Sequence, residues 1–434
     1  MVGRYQKQLN DSYEEQNKLM EQSDGSKLHR PSDDSVNYSK YLRYQNTDTE
    51  NDQYQSNVKT GISWMKTADA AMVNMKDILT TLNEKTIQAG TDTNGDTDIQ
   101  AIGKEVLAKI QELVSLGNTQ QGDRYMFAGQ SDLTQPFTIS SAKVTRGIAK
   151  TLDDAQASFF AKEADATGNM AQMLELKGSD ENTYYLSTLT GNIYSKDFMD
   201  NGYKSKVASG QPQAENGDQV GSFTDITTNK VKYYFQSNGE LTNNGKSFSP
   251  TITVGGETVT LKFATIEQYV VKYNGDDKKI SMVKRNGTTD PTADTVNVTG
   301  QTLFGSDIFD NENSGNQVNG SSSGAAALND LLMVAAKMEA ADARWLSSDG
   351  ITVTDRAHVQ VIEAETSAAA RQNVYDSVST MLDKQNEAIT EDISNCSDAD
   401  VAKLAIDLMT MQTIYNMSLS VGSRILPPSL ADYL

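Results

Sequence analysis

The last helical stretch of the sequence, Val401 to Ile425, most constrains how the chain folds. Its apolar residues step by three and four positions, which is the a/d spacing of a coiled-coil seam. They are Val401, Leu404, Leu408, Met411 and Tyr415. After Tyr415 the apolar positions move to Met417, Val421 and Ile425, so the seam is predicted to rotate around the helix. A single seam cannot bury itself, so it needs a second helix from this chain or from another copy.

The limits of this helix are predicted from local signals. Ser397, with Asp400 three residues later, is typical of a helix start. Pro427 and Pro428 end the helix because proline cannot continue the backbone hydrogen bonds.

A matching stripe lies at the other end of the sequence, where residues 1 to about 22 are predicted to form an amphipathic helix. Its apolar positions are Val2, Tyr5, Leu9, Tyr13, Leu19 and Met20, and Gln16 interrupts them. We predict that Val2, Tyr5 and Leu9 pack against Leu404, Leu408 and Met411 in the assembled state, as an assembly seam. In the isolated chain, we expect residues 1–30 and 395–434 to be loosely packed.

A long helix follows the first one. The segment Arg30-Pro31-Ser32-Asp33-Asp34 predicts its start, because proline fixes φ, Ser32 offers a capping hydroxyl and acids suit the first turn. The helix is predicted over Ser35 to Ala89, which at ~1.5 Å per residue makes a rod of ~80 Å. Its heptad consists of Met65, Ala68, Met72, Met75, Leu79 and Leu82, extended upstream by Val58 and Ile62. A second amphipathic helix, Ile99 to Leu113, is predicted to end near Gly117 and to pack back on the first.

The middle of the chain has a different character. From residue 131 to 324, alternating apolar residues and turn signals predict a β-rich region, most clearly as a hairpin over Thr251 to Leu261. Further strands are predicted at Lys232 to Phe235 and at Val270 to Tyr273. Helical patterns return at Ala325 to Ala343 and at Thr354 to Ile393.

The predicted fold class is therefore α+β: a long coiled-coil or bundle formed by both chain ends, with an inserted β-rich domain. We predict three domains: residues 1–34 with 395–434 as a terminal coiled coil, 35–130 with 325–394 as a helical bundle, and 131–324 as the insert.

Composition excludes several functions. The net charge of −20 argues against nucleic-acid binding, which needs a basic surface. Cys396 is the only cysteine, so no internal disulfide is possible. The longest apolar run, Leu331 to Ala336, is far shorter than a membrane span. Met1 to Lys7 has no apolar core of a secretory signal, so we expect export without a cleaved signal peptide.

Catalytic and metal sites are not predicted. The stretch Asp92 to Asp98 has oxygen ligands at alternate positions, but an EF-hand needs glycine at loop position six and an acid at twelve, where Thr97 and Gly103 stand. A helix-capping turn is favoured there. The two histidines, His29 and His358, leave little for a zinc site or a histidine-based triad. The sequence predicts no enzyme, no cofactor and no metal.

Several motifs together resemble the flagellar hook-associated protein 3 family, the hook–filament junction proteins of the flagellin-like superfamily. They are Arg30-Pro31-Ser32-Asp33-Asp34, the segment Asn118 to Gly129 with Arg124, Tyr125 and Phe127, Tyr273 to Asp277, Phe304 to Phe309, and the C-terminal run Ser420 to Leu434 with Arg424, Leu430 and Tyr433. The order of these motifs along the chain carries the resemblance.

The resemblance implies an inner coiled coil and an outer helical bundle, an exposed β domain, and stacking of subunits as a ring between hook and filament. It implies as partners other copies of the chain, a hook-associated protein at the hook end, flagellin at the filament end and an export chaperone on the C-terminal helix. It also implies an extracellular location after type III export. The alternatives are filament flagellin, or a secreted binding or hydrolytic module carried by the insert.

Overall fold

The computed structural model describes residues 2–91, 93–164, 171–224, 233–243, 246–281, 295–309, 317–323 and 325–425. These residues confirm the predicted α+β class. The helices are α1 Val2–Glu21, α2 Ser35–Ala89, α3 Asp96–Gly117, α4 Asp154–Phe159, α5 Tyr203–Ala208, α6 Gly300–Phe304, α7 Ala326–Glu339, α8 Ala343–Trp345, α9 Ile351–Ser397 and α10 Val401–Ile425.

The strands lie almost entirely between α3 and α7. They are β1 Gln120–Gln121, β2 Arg124–Tyr125, β3 Phe137–Ile139, β4 Val144–Gly147, β5 Ala149–Thr151, β6 Gln172–Gly178, β7 Thr183–Leu186, β8 Asn192–Ser195, β9 Gly221–Ser222, β10 Tyr233–Phe235, β11 Leu241–Asn243, β12 Lys246–Phe248, β13 Thr251–Val254, β14 Glu257–Phe263, β15 Thr265–Gln268, β16 Val271–Tyr273, β17 Ser306–Phe309 and β18 Gln317–Ser323. The predicted hairpin is confirmed, since β13 and β14 pair from Val254 opposite Glu257 to Thr251 opposite Thr260.

The chain forms two compact units. Unit 1 comprises Met1–Lys59 and Asp376–Leu434, and unit 2 comprises Thr60–Tyr375. The predicted domain boundary after residue 34 coincides with the start of α2, and the one after residue 394 falls within the last turn of α9; both lie inside unit 1. The three-domain division stays a prediction.

In unit 1, two turns hold the helix ends together. The backbone N–H of Lys27 donates to the carbonyl of Ser397, and the N–H of Ala399 donates to the carbonyl of Gly25. Leu28, which follows Lys27 in the first of these turns, is buried. Further along, the Asn51 side chain is buried and donates from Nδ2 to the carbonyl of Leu382, which joins α2 to α9.

The α2 heptad is confirmed as a buried stripe. All six predicted positions are at most 2% exposed, and Val58 is buried as well. Ile62 is half-buried, and Gly61 takes the inward position instead. In unit 2, α2 pairs with α9 through Lys76 and Glu365 and with α3 through Lys85 and Glu105, at 3.0 and 2.8 Å.

Unit 2 has a seven-stranded and a five-stranded antiparallel sheet. The larger sheet runs β13-β14-β6-β7-β8-β9, with β5 also paired to β6, and the smaller runs β12-β11-β10-β18-β17. Alternation along β6 and β7 explains why both faces of the larger sheet are buried. Leu174, Leu176 and Leu186 pack with residues of the smaller sheet, whereas Met173 and Tyr185 pack with α4 and α5.

The helices and the β-rich region of unit 2 share one core. Phe137, Tyr273 and Phe304 come from the predicted insert, yet they pack in the same cluster as Leu113 of α3 and Leu328 of α7. The ring centroids of Phe137 lie 5.1 Å from Tyr273 and 5.3 Å from Phe304. The β-rich region is therefore part of the same compact unit as these helices.

Candidate assembly seam and motif residues

Helix α1 packs against α10 in unit 1. Leu404 is buried, and Leu408, Met411 and Tyr415 are half-buried. The Tyr13 and Tyr415 rings lie 6.3 Å apart. On α1 the half-buried positions are Leu9, Ser12, Gln16 and Leu19. The side chains of Val2 and Tyr5 lie outside the described residues, so the seam's pairing there stays a prediction.

Two parts of the predicted seam differ in the structure. Val401 is exposed because it is the first residue of α10 and no preceding turn shields it. Met417 and Val421 are also exposed, and the half-buried position after Tyr415 is Ser418. The inward face thus keeps its three-and-four spacing along α10, so the predicted rotation does not occur over the described side chains.

The opposite side of α10 carries a second apolar row that the sequence analysis missed. At 100° per residue, Ile406, Met409 and Met417 lie across the helix from Leu404 and Met411. They are 64%, 71% and 63% exposed. The spacing Ala402, Ile406, Met409, Thr413 also steps by four and three, and this signal was available in the sequence.

The motif at residues 30–34 makes a turn and a helix cap. Asp34, not Ser32, caps α2, since its Oδ1 accepts from the N–H groups of Val36 and Asn37. The carboxylate of Asp33 accepts from the backbone N–H of His29 and Arg30. These hydrogen bonds lower the pKa of both Asp33 and Asp34, which keeps the caps ionised. Pro31 lies in the turn before the helix.

The residue that caps the start of α10 also differs from the predicted one. The hydroxyl of Ser397 donates to the carbonyl of Ile393 and belongs to the last turn of α9. Asp400 caps α10 instead, because its Oδ1 accepts from the N–H of Lys403. The carboxylate next to the first helical residue reaches the free N–H groups, whereas a side chain three residues earlier does not.

The motif over Asn118 to Gly129 forms a tight hairpin between α3 and the sheets. Arg124 Nη1 lies 2.6 Å from Asp132 Oδ2, and the Tyr125 N–H donates to the carbonyl of Asp132. Phe127 is fully buried, and its carbonyl accepts from the hydroxyl of Tyr273 at 2.9 Å.

Two motifs that are far apart in the sequence therefore meet. Asp276 completes the contact, since its Oδ1 accepts from the N–H of Gln130 and its own N–H donates to the carbonyl of Ala128. Tyr273 and Asp276 belong to one motif, and Ala128 to the other. Both motifs act here as structural ties between the helical body and the β-rich region, and neither forms a catalytic cluster.

Gly129→Ala is expected to destabilise the protein by at least about 3 kcal/mol. Gly129 has φ of +72°, and an added Cβ would lie 2.1 Å from the carbonyl oxygen of Asp276. Gly122 is a matched control in the same motif, with φ of +67° and nothing within 4 Å of an added Cβ. Gly122→Ala should lower the free energy of unfolding by only about 1 kcal/mol, the cost of placing a Cβ on a left-handed backbone. Urea unfolding of both variants measures the difference, and equal losses would contradict the close approach.

The remaining motif residues divide into two groups. Phe304, Asp307 and Phe309 are buried in unit 2. Arg424 lies in α10, but its side chain is outside the described residues, as are Leu430 and Tyr433 entirely. Asp92 of the alternating-oxygen stretch is also outside them. Asp98 accepts from the N–H of Gly95 and so takes part in a helix cap.

Within the part of the chain that the structure describes, no cluster of three histidine, cysteine or acidic side chains is arranged to hold a metal ion. Among the same residues, no helix is both long and apolar enough to cross a membrane.

Comparisons with known proteins agree with the motif-based resemblance. Residues 4–132 match the family described as the bacterial flagellin N-terminal helical region. Flagellar hook-associated protein 3 of Escherichia coli K12 is 24% identical over 137 residues, which cover 31% of this chain and 43% of that protein. The Salmonella typhimurium protein of the same name is 27% identical over 131 residues, covering 30% and 41%. The chain thus spans less than half the length of these relatives.

Comparison with solved structures returned several flagellar proteins, among them two named FlgL. The flagellar junction protein FlgL of Legionella pneumophila is 11% identical with a TM-score of 0.35, covering 77% of this chain and 98% of that one. FlgL of Xanthomonas campestris is 16% identical with a TM-score of 0.38, covering 81% and 99%. The sequence matches confirm the predicted resemblance to hook-associated protein 3.

Proposed function

We propose that this chain, whose residues 4–132 match the flagellin N-terminal helical region, is a structural subunit of the junction between hook and filament of the bacterial flagellum. The names of the curated relatives support this role. The single observation that carries the mechanism is the second apolar row of α10, Ile406, Met409, Thr413 and Met417. We call this row the outer face.

The outer face is a surface that an isolated chain leaves in water. Ile406, Met409 and Met417 are largely exposed, while the opposite face packs on α1. Lys403 and Asp407 are the nearest charges along the helix, and neither falls on this row. Complete burial of one such side chain contributes roughly 1.5–3 kcal/mol, so three together favour association of copies strongly.

The occupant of the outer face is a second copy of this chain, assembled as a ring. Its neighbours are a hook-associated protein at the hook end and flagellin at the filament end. Before assembly an export chaperone covers α10, and the subunit leaves the cell by the flagellar type III route without a cleaved signal. The subunit performs no catalysis, and its work is to join two surfaces.

Placing charges on the outer face is expected to abolish assembly. In a strain that lacks the gene, hooks should remain intact while flagellin leaks into the medium, and the wild-type gene should restore filaments. The double variant Ile406→Asp/Met409→Asp should fail to restore them, because burying an unpaired carboxylate costs several kcal/mol. The purified variant should melt like wild type, since both side chains are exposed in the monomer. The outcome is measured by electron microscopy of the cells and by the amount of flagellin in the medium.

A flank variant is the matched control. Gln412 is exposed on α10 and lies about 80° around the helix from Leu404, between the seam and the outer face, so Gln412→Asp should restore filaments. Full rescue by the double variant would refute the outer face as an inter-subunit contact. If deletion instead removes flagellin from both filaments and medium, the chain is filament flagellin, and the junction proposal fails.

A further inference from the structure

We propose that a groove in unit 2, between α3, α7 and the paired strands β4 and β15, binds a small amphipathic carboxylate. The cavity has a volume of about 500 Å³. Ligand-binding pockets typically span roughly 300–1,000 Å³ and combine an apolar lining with a few polar groups. None of its lining residues belongs to α1 or α10, so the site is separate from the proposed assembly surfaces.

The floor of the groove is apolar for a steric reason. Helices α3 and α7 approach closely at Gly103, where an added Cβ would lie 2.8 Å from the Cβ of Met338. Beside this close approach, Ala335 and Ala336 carry only methyl groups and leave space open. Leu107 of α3 and Leu332 of α7 complete an apolar floor. A hydrocarbon or aryl body gains free energy by leaving water for such a surface.

The rim supplies positive charge. Lys104 and Lys143 both line the groove. Lys104 is exposed and makes no ion pair with any described residue. Lys143 pairs with Glu339 at 2.5 Å, and its Nζ lies 5.9 Å from the centre of the Tyr269 ring. Two lysines and one glutamate leave a net positive rim on a chain of net charge −20.

These features together select the ligand class. An ammonium group forms short, strong hydrogen bonds to a carboxylate. The Lys143 and Glu339 side chains are 33% and 65% exposed, so water screens this pair and an incoming carboxylate competes with Glu339 at little cost. A bare inorganic anion would leave the apolar floor unused, and a neutral hydrocarbon would leave Lys104 without a counter-charge. An aryl or alkyl carboxylic acid uses both parts.

The test is isothermal titration calorimetry of the full chain with phenylbutyrate and with its neutral amide. We expect saturable binding of one phenylbutyrate, with the amide about tenfold weaker, since one charge-assisted contact is worth about a factor of ten. The double variant Lys104→Gln/Lys143→Gln should lower the affinity for phenylbutyrate by a similar factor and leave the affinity for the amide unchanged. Ala336→Leu should abolish binding of both compounds by filling the floor.

Lys109→Gln is the matched control, because Lys109 lies on α3 and pairs with Glu112 away from the groove. It should bind like wild type. The proposal is refuted if wild type shows no saturable binding, if acid and amide bind equally, or if the lysine double variant keeps full affinity. Those lysines are exposed, so loss of folding would not obscure the result, and circular dichroism verifies the Ala336→Leu fold. A negative result would leave the junction role untouched.

Discussion

Arg146→Met is expected to lower the free energy of unfolding by about 3–5 kcal/mol, because it leaves a buried carboxylate without its cation. Arg146 and Asp307 lie 2.5 Å apart, and each side chain is only 2% exposed. The guanidinium also stacks 4.1 Å from the centre of the Phe309 ring. Asn329 donates one further hydrogen bond to Asp307, but a neutral amide does not compensate a full charge in this environment.

The matched control is Lys143→Met. Lys143 and Glu339 are also 2.5 Å apart, but their side chains are 33% and 65% exposed. Breaking that pair should cost less than about 1 kcal/mol, since water solvates the remaining charge. Adding Asp307→Asn to Arg146→Met should recover much of the loss by removing the orphaned carboxylate. Urea unfolding measures each variant, and similar losses for Arg146→Met and Lys143→Met would contradict this account.

Local patterns predicted the helices well. The sequence predicted α2 over Ser35 to Ala89 and α10 over Val401 to Ile425, and the structure has these bounds. The signals for these helices, a heptad repeat along the helix and a proline or glycine at its ends, each involve only a few neighbouring residues. They can therefore be recognised in a single sequence. The hairpin over Thr251 to Leu261 was predictable for the same reason.

The identity of the capping residues was not predictable in this way. Ser32 and Ser397 are good cap residues by type, yet Asp34 and Asp400 accept the helical N–H groups. Several neighbouring residues of similar chemistry compete for one position, and the backbone geometry of the preceding turn decides between them.

The buried charge cluster of Arg146, Asp307 and Asp330 could not be predicted from the sequence, because Arg146 is distant along the chain from both carboxylates. Arg146 and Asp307 are 161 residues apart. Asp307 lies within the motif Phe304 to Phe309, but nothing in that motif indicates that its carboxylate is buried against Arg146. The outer face of α10 was missed for another reason. Its spacing overlaps that of the seam, and both rows satisfy a helical period, so only the exposure of Ile406 and Met409 separates them.

The same cluster is expected to make stability depend on pH through Asp330, which is fully buried. Burial raises its pKa from 3.8 to about 7, the charge of Asp307 adds to the rise, and Arg146 opposes it. The folded chain therefore holds a proton that the unfolded chain releases. Asp330 stabilises the fold fully below about pH 4, and this stabilisation is lost as pH rises to about 7.

Asp330→Asn should remove this dependence, because the amide oxygen still accepts from Thr151 and Gln172 but carries no charge. Relative to wild type, the variant should become more stable by several kcal/mol between about pH 4 and about pH 8. Asp342→Asn is the control. Burial alone would raise the pKa of Asp342, but the hydrogen bond and charge of Lys337 outweigh it and lower that pKa. The free energy of unfolding of Asp342→Asn, relative to wild type, should not rise with pH. Urea unfolding at both pH values decides the matter, since a pH-independent difference for Asp330→Asn would mean that Asp330 is ionised in the fold.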